Sequence, residues 1–62
     1  MQFTIEAMHC GGCARSVTKA IQSVDPAAQV ATDLASHKVE VASSKPREAF
    51  LPALAAAGYP AA

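Results

Sequence analysis

The chain has 62 residues, a length that supports one hydrophobic core but no second lobe or deep substrate cleft. Its five lysines and arginines balance its five aspartates and glutamates, so no net charge attracts nucleic acid or an anionic membrane. No apolar run approaches the roughly 18 residues that cross a bilayer, and the first residues lack the pattern of a secretion signal. We therefore predict a single cytoplasmic domain, residues 1–62, without membrane insertion or nucleic-acid binding.

Two periodic segments flank a cysteine-containing stretch in the first half of the chain. Phe3 and Ile5 alternate with polar neighbours, which predicts a strand over Gln2–Glu6. Apolar residues at three- and four-residue steps then predict an amphipathic helix from about Gly12 to Val24. Asp25-Pro26 ends this helix, because the residue before a proline is driven out of the helical region.

A hairpin and a second helix are predicted in the second half. Alternation resumes over Gln29–Leu34 and, after the polar turn Ala35-Ser36-His37, over Lys38–Val41, which predicts an antiparallel hairpin. The following helix is expected to end at Gly58. Pro52 removes a backbone donor inside this helix at a cost of about 3 kcal/mol, so we expect its first turn to be kinked, loosened or 3₁₀-like.

These elements follow the order βαββα, with only a vestigial stub for a last strand. Right-handed crossovers place both helices on one face of an antiparallel sheet, which is a ferredoxin-like open-faced sandwich of the α+β class. The apolar residues predicted to form its core are Phe3, Ile5, Val17, Ile21, Val24, Val30, Leu34, Val39, Val41, Phe50 and Leu54.

The only two cysteines, Cys10 and Cys13, lie between the first strand and the first helix. Their spacing brings both sulfurs within reach of one metal ion, one redox partner or each other. The start of a helix favours the thiolate, which assists metal binding and redox exchange alike. A structural zinc site takes four ligands, and we expect His37 to be remote in the hairpin turn. Two soft thiolates suit Cu(I) instead, with Ag(I) and Au(I) chemically similar.

The segment Met8-His9-Cys10-Gly11-Gly12-Cys13, together with Ala57-Gly58-Tyr59, resembles the heavy-metal-associated domain family and its M-x-C-x-x-C motif. Within that family the chain is similar to stand-alone bacterial copper chaperones of the CopZ type and to chaperones linked to gold and copper resistance. The resemblance implies that Cys10 and Cys13 bind Cu(I) and pass it to the metal-binding domain of a copper-exporting P-type ATPase. It implies a delivery module rather than an enzyme.

An exposed pair of sulfurs allows the metal ion to be passed to, or shared with, other proteins. A metal-responsive regulator is a second candidate acceptor for the metal ion. We expect the metal-free protein to be a monomer, and exposed sulfurs would also allow one metal ion to bridge two copies.

Residues around the cysteines carry weaker predictions. Met8 is expected to pack beneath the loop rather than to serve as a thioether ligand. His9 could supply a third ligand, but its side chain is expected to point away from the sulfurs. Gly11-Gly12 is expected to let the backbone bend tightly beside them. By resemblance, Tyr59 lies beside the site and shields the thiolates, and the alternative is a half-buried aromatic residue without that role.

Arg15 and Lys19 lie four residues apart on the first helix and are the only cations near the cysteines in the sequence. Such a pair is ordinarily a solvated face of the helix. We also hypothesise that it contacts a complementary acidic surface on a partner.

Three other functions use the same motif or fold. Hg(II) also fits a dithiolate, but the periplasmic relatives that bind mercury carry a secretion signal. A thiol-disulfide oxidoreductase would use C-x-x-C, but thioredoxin-like enzymes resemble this chain only in the cysteine spacing. RNA binding through this fold expects aromatic residues on the outer face of the sheet, where Glu6 and Glu40 are predicted instead.

Overall fold

The computed structural model describes all 62 residues, which form three antiparallel strands and two α-helices. The strands are β1 (Gln2–Thr4), β2 (Gln29–Asp33) and β3 (Lys38–Ala42). The helices are α1 (Gly11–Val24) and α2 (Leu51–Ala56), and a 3₁₀ turn, Arg47–Ala49, precedes α2. These elements confirm the predicted ferredoxin-like α+β fold.

The sheet has the order β1-β3-β2, so β3 is its central strand. Phe3 pairs with Val39 and Val30 pairs with Val41, which gathers apolar side chains from all three strands on the face that the helices cover. The predicted vestigial last strand is reduced to one backbone hydrogen bond, in which the Ala62 N–H donates to the Thr4 carbonyl at 2.8 Å. This bond lies on the side of β1 away from β3, because alternate residues of an antiparallel strand face opposite edges.

The core lies between the sheet and the two helices. Its buried residues are Phe3, Ile5, Met8, Val17, Ile21, Ala28, Val39, Val41, Phe50 and Leu54. Ala28 was not predicted, because a single alanine after a helix end carries no periodic signal. Val24 and Val30 are only half-buried, since they lie at the margin of the layer.

The prediction for Leu34 is wrong. This residue was placed in the core, but its side chain is 36% exposed. The Asp33 carboxylate accepts a hydrogen bond from the Ala35 N–H at 3.1 Å, and such an Asx turn ends the strand one residue earlier than predicted. Leu34 therefore begins the turn instead of continuing the alternation of β2.

Pro52 explains how the second helical segment divides. The chain makes a 3₁₀ turn first, and Pro52 then lies in the first turn of α2, where a backbone donor has no helical partner in any case. The expected 3₁₀-like turn before Pro52 is confirmed.

The first strand is shorter than predicted. β1 stops at Thr4 instead of Glu6, because the chain turns away from the sheet towards the cysteines. Neither helix combines the length and hydrophobicity required to cross a membrane.

Candidate metal centre

The two cysteines lie at the start of α1. Cys10 is the N-cap residue, with extended dihedral angles, and Cys13 lies in the first turn. Their Sγ atoms are 3.3 Å apart, well beyond the roughly 2.05 Å of a disulfide bond, so both are free thiols that share a hydrogen bond. Cys10 is exposed and Cys13 is half-buried. A small ion arriving from solvent can therefore reach both sulfurs from one side.

The environment of Cys13 favours its thiolate. The pKa of Cys13 is lowered from 9.0 to about 7. Hydrogen bonding from the Tyr59 hydroxyl is the largest cause, followed by a backbone hydrogen bond from His9 and the hydrogen bond from the Cys10 thiol. Partial burial opposes these effects, because it disfavours the charged form. Cys13 therefore reaches the thiolate form, which binds metals, at a lower pH than an ordinary cysteine.

The end of α2 places Tyr59 at the site. The Tyr59 N–H donates to the Leu54 carbonyl at 2.9 Å and the Gly58 N–H donates to the Ala55 carbonyl at 3.1 Å, which is the Schellman arrangement. Gly58 has a φ of 88°, a conformation that glycine adopts without steric cost. The chain thus reverses abruptly and turns the Tyr59 ring towards Cys13. The thiolate in turn raises the pKa of Tyr59.

We predict that Tyr59→Phe raises the pKa of Cys13 from about 7 towards 9.0, because the ring stays while its hydrogen bond to sulfur is lost. Titration of reduced, metal-free protein in a Cys10→Ser background, followed by thiolate absorbance, measures a single sulfur. Cys10→Ser alone is the reference, because the hydrogen bond from Cys10 is lost in both proteins. In the folded protein the lowered pKa favours the native state, so its stabilising effect is present at high pH and is lost as the pH falls through about 7. A titration curve unaltered by Tyr59→Phe would contradict this role.

Met8 is fully buried in the hydrophobic core, as expected for a residue that packs beneath the loop. Its N–H donates to the Ile5 carbonyl at 3.2 Å, which folds the loop over the end of β1. The side chain thus anchors the loop from below, two residues before Cys10.

The expectation that His37 is remote is wrong, because it contacts the cysteine-bearing loop at Met8 and His9. Its Nδ1 lies 2.9 Å from the Met8 carbonyl oxygen, and its ring centroid is 5.6 Å from that of His9. The cause is the strand order: β1 and β3 are neighbours, so the residue before β3 pairs with the residue after β1, and the Ile5 N–H donates to the His37 carbonyl at 2.8 Å. The order expected for a ferredoxin-like fold was the signal that could have revealed this contact.

The two histidines nevertheless do not complete a cluster. No group of three or more His, Cys, Asp or Glu side chains converges in a way that could hold a metal ion. His9 is exposed and His37 is half-buried. The site therefore offers two soft sulfur donors at an open surface.

Gly11 and Gly12 do not make the tight bend that we expected. Both lie within α1, which begins one residue earlier than predicted, and neither has a positive φ. A Cβ atom on Gly11 would meet nothing within 4 Å, and one on Gly12 would lie 3.8 Å from the Cys10 sulfur, an ordinary contact. The glycines leave the approach to the sulfurs free of side chains, but the backbone here does not require glycine.

Residues 2–60 match the family described as the heavy-metal-associated domain. The chain belongs to this family. No curated protein sequence gives a significant match, but solved structures of similar proteins extend the comparison.

Three solved structures show how closely the chain follows other proteins of this fold. The copper chaperone Atx1 from Synechocystis PCC6803, in a trimeric form, is 40% identical, with a TM-score of 0.95 over 100% of this chain and 98% of that one. A gold binding protein is 46% identical, with a TM-score of 0.93 over 98% of this chain and 94% of that one. Atu1203 from Agrobacterium tumefaciens is 35% identical, with a TM-score of 0.85 over 97% of this chain and 94% of that one. This heavy-metal-associated domain is thus similar over nearly its whole length to a copper chaperone and to a gold binding protein.

Proposed function

We propose that this protein is a metallochaperone that binds Cu(I) between the thiolates of Cys10 and Cys13. The observation that carries the proposal is the pair of accessible sulfurs, 3.3 Å apart at the start of α1. Thiolates are soft ligands and select soft monovalent ions, so Ag(I) and Au(I) are alternative cargoes. The likeness to a copper chaperone and to a gold binding protein supports the same choice.

Loading requires only a local adjustment. Two metal–thiolate bonds of about 2.3 Å each, the length found for zinc, place the sulfurs about 4.6 Å apart when the ion lies in line between them. A linear two-coordinate ion would therefore require the sulfurs to separate from 3.3 Å. Cys10 precedes the helix and is exposed, whereas Cys13 lies in the helix beside Tyr59. The Cys10 side chain is therefore the one that moves, and it releases its proton as it binds the ion.

Delivery follows from the same openness. A thiolate of the acceptor can join the ion from the solvent side, after which one of the two original sulfurs leaves and takes up a proton. A second acceptor thiolate then displaces the remaining original sulfur in the same way. The ion is passed from sulfur to sulfur without any change in its oxidation state. A fully enclosed four-ligand site would block this exchange.

The setting and partners of the chaperone form part of the proposal. We propose one heavy-metal-associated domain, residues 1–62, that acts in the cytoplasm as a carrier and not as an enzyme. Its acceptor is the metal-binding domain of a copper-exporting P-type ATPase, and a metal-responsive regulator is a second candidate. The metal-free form is a monomer and the loaded form carries one Cu(I) per chain. Where metal-free chains are in excess, one copper ion can also bridge two copies through their exposed cysteines.

Anaerobic titration of the reduced protein against a Cu(I) chelator tests the cargo. We expect tight binding of one Cu(I) per chain, similar binding of Ag(I) and Au(I), and much weaker binding of Zn(II). A preference for Zn(II) over Cu(I) would overturn the proposal. A preference for Hg(II) in the presence of competing small thiols would favour the mercury-binding alternative, and catalysis of insulin reduction would favour the oxidoreductase.

Arg15 and Lys19 are both exposed on α1, and neither forms an ion pair within the chain. We predict that the double change Arg15→Glu and Lys19→Glu slows Cu(I) transfer to an acidic acceptor domain by about tenfold at low salt, because charge complementarity acts mainly on association rates. Cu(I) affinity itself should stay the same. Stopped-flow transfer measurements over a range of salt concentrations provide the rates.

Lys19→Glu alone should also slow transfer, by less than the double change. Lys45→Glu is its matched control, because it reverses one exposed charge outside the cysteine-bearing loop and α1. It should leave the transfer rate unchanged. Equal rates for the double variant and the unaltered protein would rule out this docking surface.

A further inference from the structure

We propose that His37 is a positioning residue, which holds the cysteine-bearing loop in the shape that binds metal and thereby raises the affinity for Cu(I). The proposal rests on the proposed function for its cargo. It concerns a residue of the β2–β3 turn that is distant in sequence from the C-x-x-C motif. Three contacts carry it.

The first contact is a hydrogen bond between the His37 side chain and the loop. The distance from Nδ1 to the Met8 carbonyl oxygen is 2.9 Å. A carbonyl oxygen can only accept, so Nδ1 must carry the proton, and in the neutral ring Nε2 then has none. His37 is therefore held in one tautomer by the loop, and the loop is held by His37.

The second contact joins the two backbones. The Ile5 N–H donates to the His37 carbonyl at 2.8 Å, and the Met8 N–H donates to the Ile5 carbonyl at 3.2 Å. Met8 is thus tied through its N–H, its carbonyl and its buried side chain. Because Met8 is two residues before Cys10, this three-point attachment restricts the positions that the Cys10 sulfur can occupy.

The third contact involves the residue next to Cys10. The rings of His9 and His37 meet edge to face, with centroids 5.6 Å apart and planes at 85°. Perpendicular arrangements of this kind are favourable between aromatic rings. His37 therefore contacts both residues that precede the first cysteine.

The backbone angle at His37 determines which replacements can test these contacts. His37 has a φ of 58°, the only positive value at a non-glycine residue in the chain. Glycine adopts this region freely, and asparagine, aspartate and histidine adopt it more often than other residues. Histidine is therefore compatible with this turn, and a replacement must tolerate the same angle if it is to report on the side chain alone.

The effect on affinity follows from preorganisation. Between the end of β1 and the start of α1 the loop has few backbone hydrogen bonds of its own. Without His37 it would populate additional conformations, and metal binding would have to select the competent one. The loss should correspond to one net hydrogen bond, which is about a two- to tenfold weaker Cu(I) affinity.

Two variants and one control separate the side-chain bond from the turn geometry. His37→Gly removes the donor while accepting the positive φ, and we expect its Cu(I) affinity to fall by about two- to tenfold. His37→Asn keeps an N–H donor at the position of Nδ1 and also tolerates the positive φ, so it should recover most of the affinity. Ser36→Gly, an exposed neighbour in the same turn, should bind Cu(I) like the unaltered protein. Chelator competition measures all four proteins.

A spectroscopic signature tests the contact independently of metal. Long-range nitrogen–proton correlation spectra of the metal-free, unaltered protein should show His37 as the Nδ1–H tautomer. An Nε2–H tautomer, an unchanged affinity in His37→Gly, or no recovery in His37→Asn would each overturn the proposal. Failure of the unaltered protein to bind Cu(I) would instead refute the proposed function, so the two failures are distinguishable.

Discussion

Replacement of both cysteines, Cys10→Ser and Cys13→Ser, is expected to weaken Cu(I) binding by at least about a thousandfold. The thiolate is the ligand for soft ions, and a serine hydroxyl neither ionises near neutral pH nor offers a soft donor. His9 and His37 cannot substitute, because the chain has no cluster of three or more ligating side chains. Chelator competition under anaerobic conditions measures the loss.

The fold serves as the control for this experiment. Cys10 is exposed and Cys13 is half-buried, and neither belongs to the fully buried core. The free energy of unfolding of the double variant should therefore lie within about 1 kcal/mol of that of the unaltered protein. Chemical denaturation of the metal-free forms measures both values. Cu(I) uptake that survived in a folded double variant would refute the dithiolate site.

Met8→Ala is expected to lower the free energy of unfolding by about 2–4 kcal/mol, because it leaves a cavity where a fully buried side chain packs beneath the loop. A domain of this size has only about 3–9 kcal/mol of stability in total, so the loss would remove a large fraction of that free energy. Urea denaturation of the metal-free protein measures this change.

Met8→Leu separates packing from ligation. Leucine has a similar volume, so the free energy of unfolding should fall by less than about 1.5 kcal/mol. Cu(I) affinity should be unchanged, since the buried thioether lies in the core and not beside the exposed sulfurs. A folded Met8→Leu variant with much weaker Cu(I) binding would show that the thioether acts as a ligand.

Much of the fold could be predicted because the hydrophobic pattern is local. Alternation at Phe3 and Ile5, and again on both sides of the hairpin, identified the strands, and the stripe of α1 identified the first helix. The error at Leu34 arose where two local signals competed. Its alternation continued that of β2, but the Asx turn of Asp33 ended the strand.

The candidate site was predictable in part for the same reason. Cys10 and Cys13 are close in sequence, and the helix that begins between them directs both sulfurs to one end of the layer. The tight bend expected at Gly11 and Gly12 did not form, because the helix starts early enough to include both residues. Glycine in a sequence permits unusual backbone angles but does not require them.

The amino-acid sequence by itself determined the order of the elements and the pair of soft donors at a helix start, because periodicity and side-chain chemistry act over a few neighbouring residues. Only the tertiary structure decided that Tyr59 stabilises the Cys13 thiolate and that His37 is bonded to the loop. Those contacts depend on the reversal at the end of α2 and on the pairing of β1 with β3. The pairing of β1 with β3 arises from burying apolar surface between segments far apart in the chain, and the approach of Tyr59 to Cys13 requires α2 to pack against α1. No local pattern encodes either event.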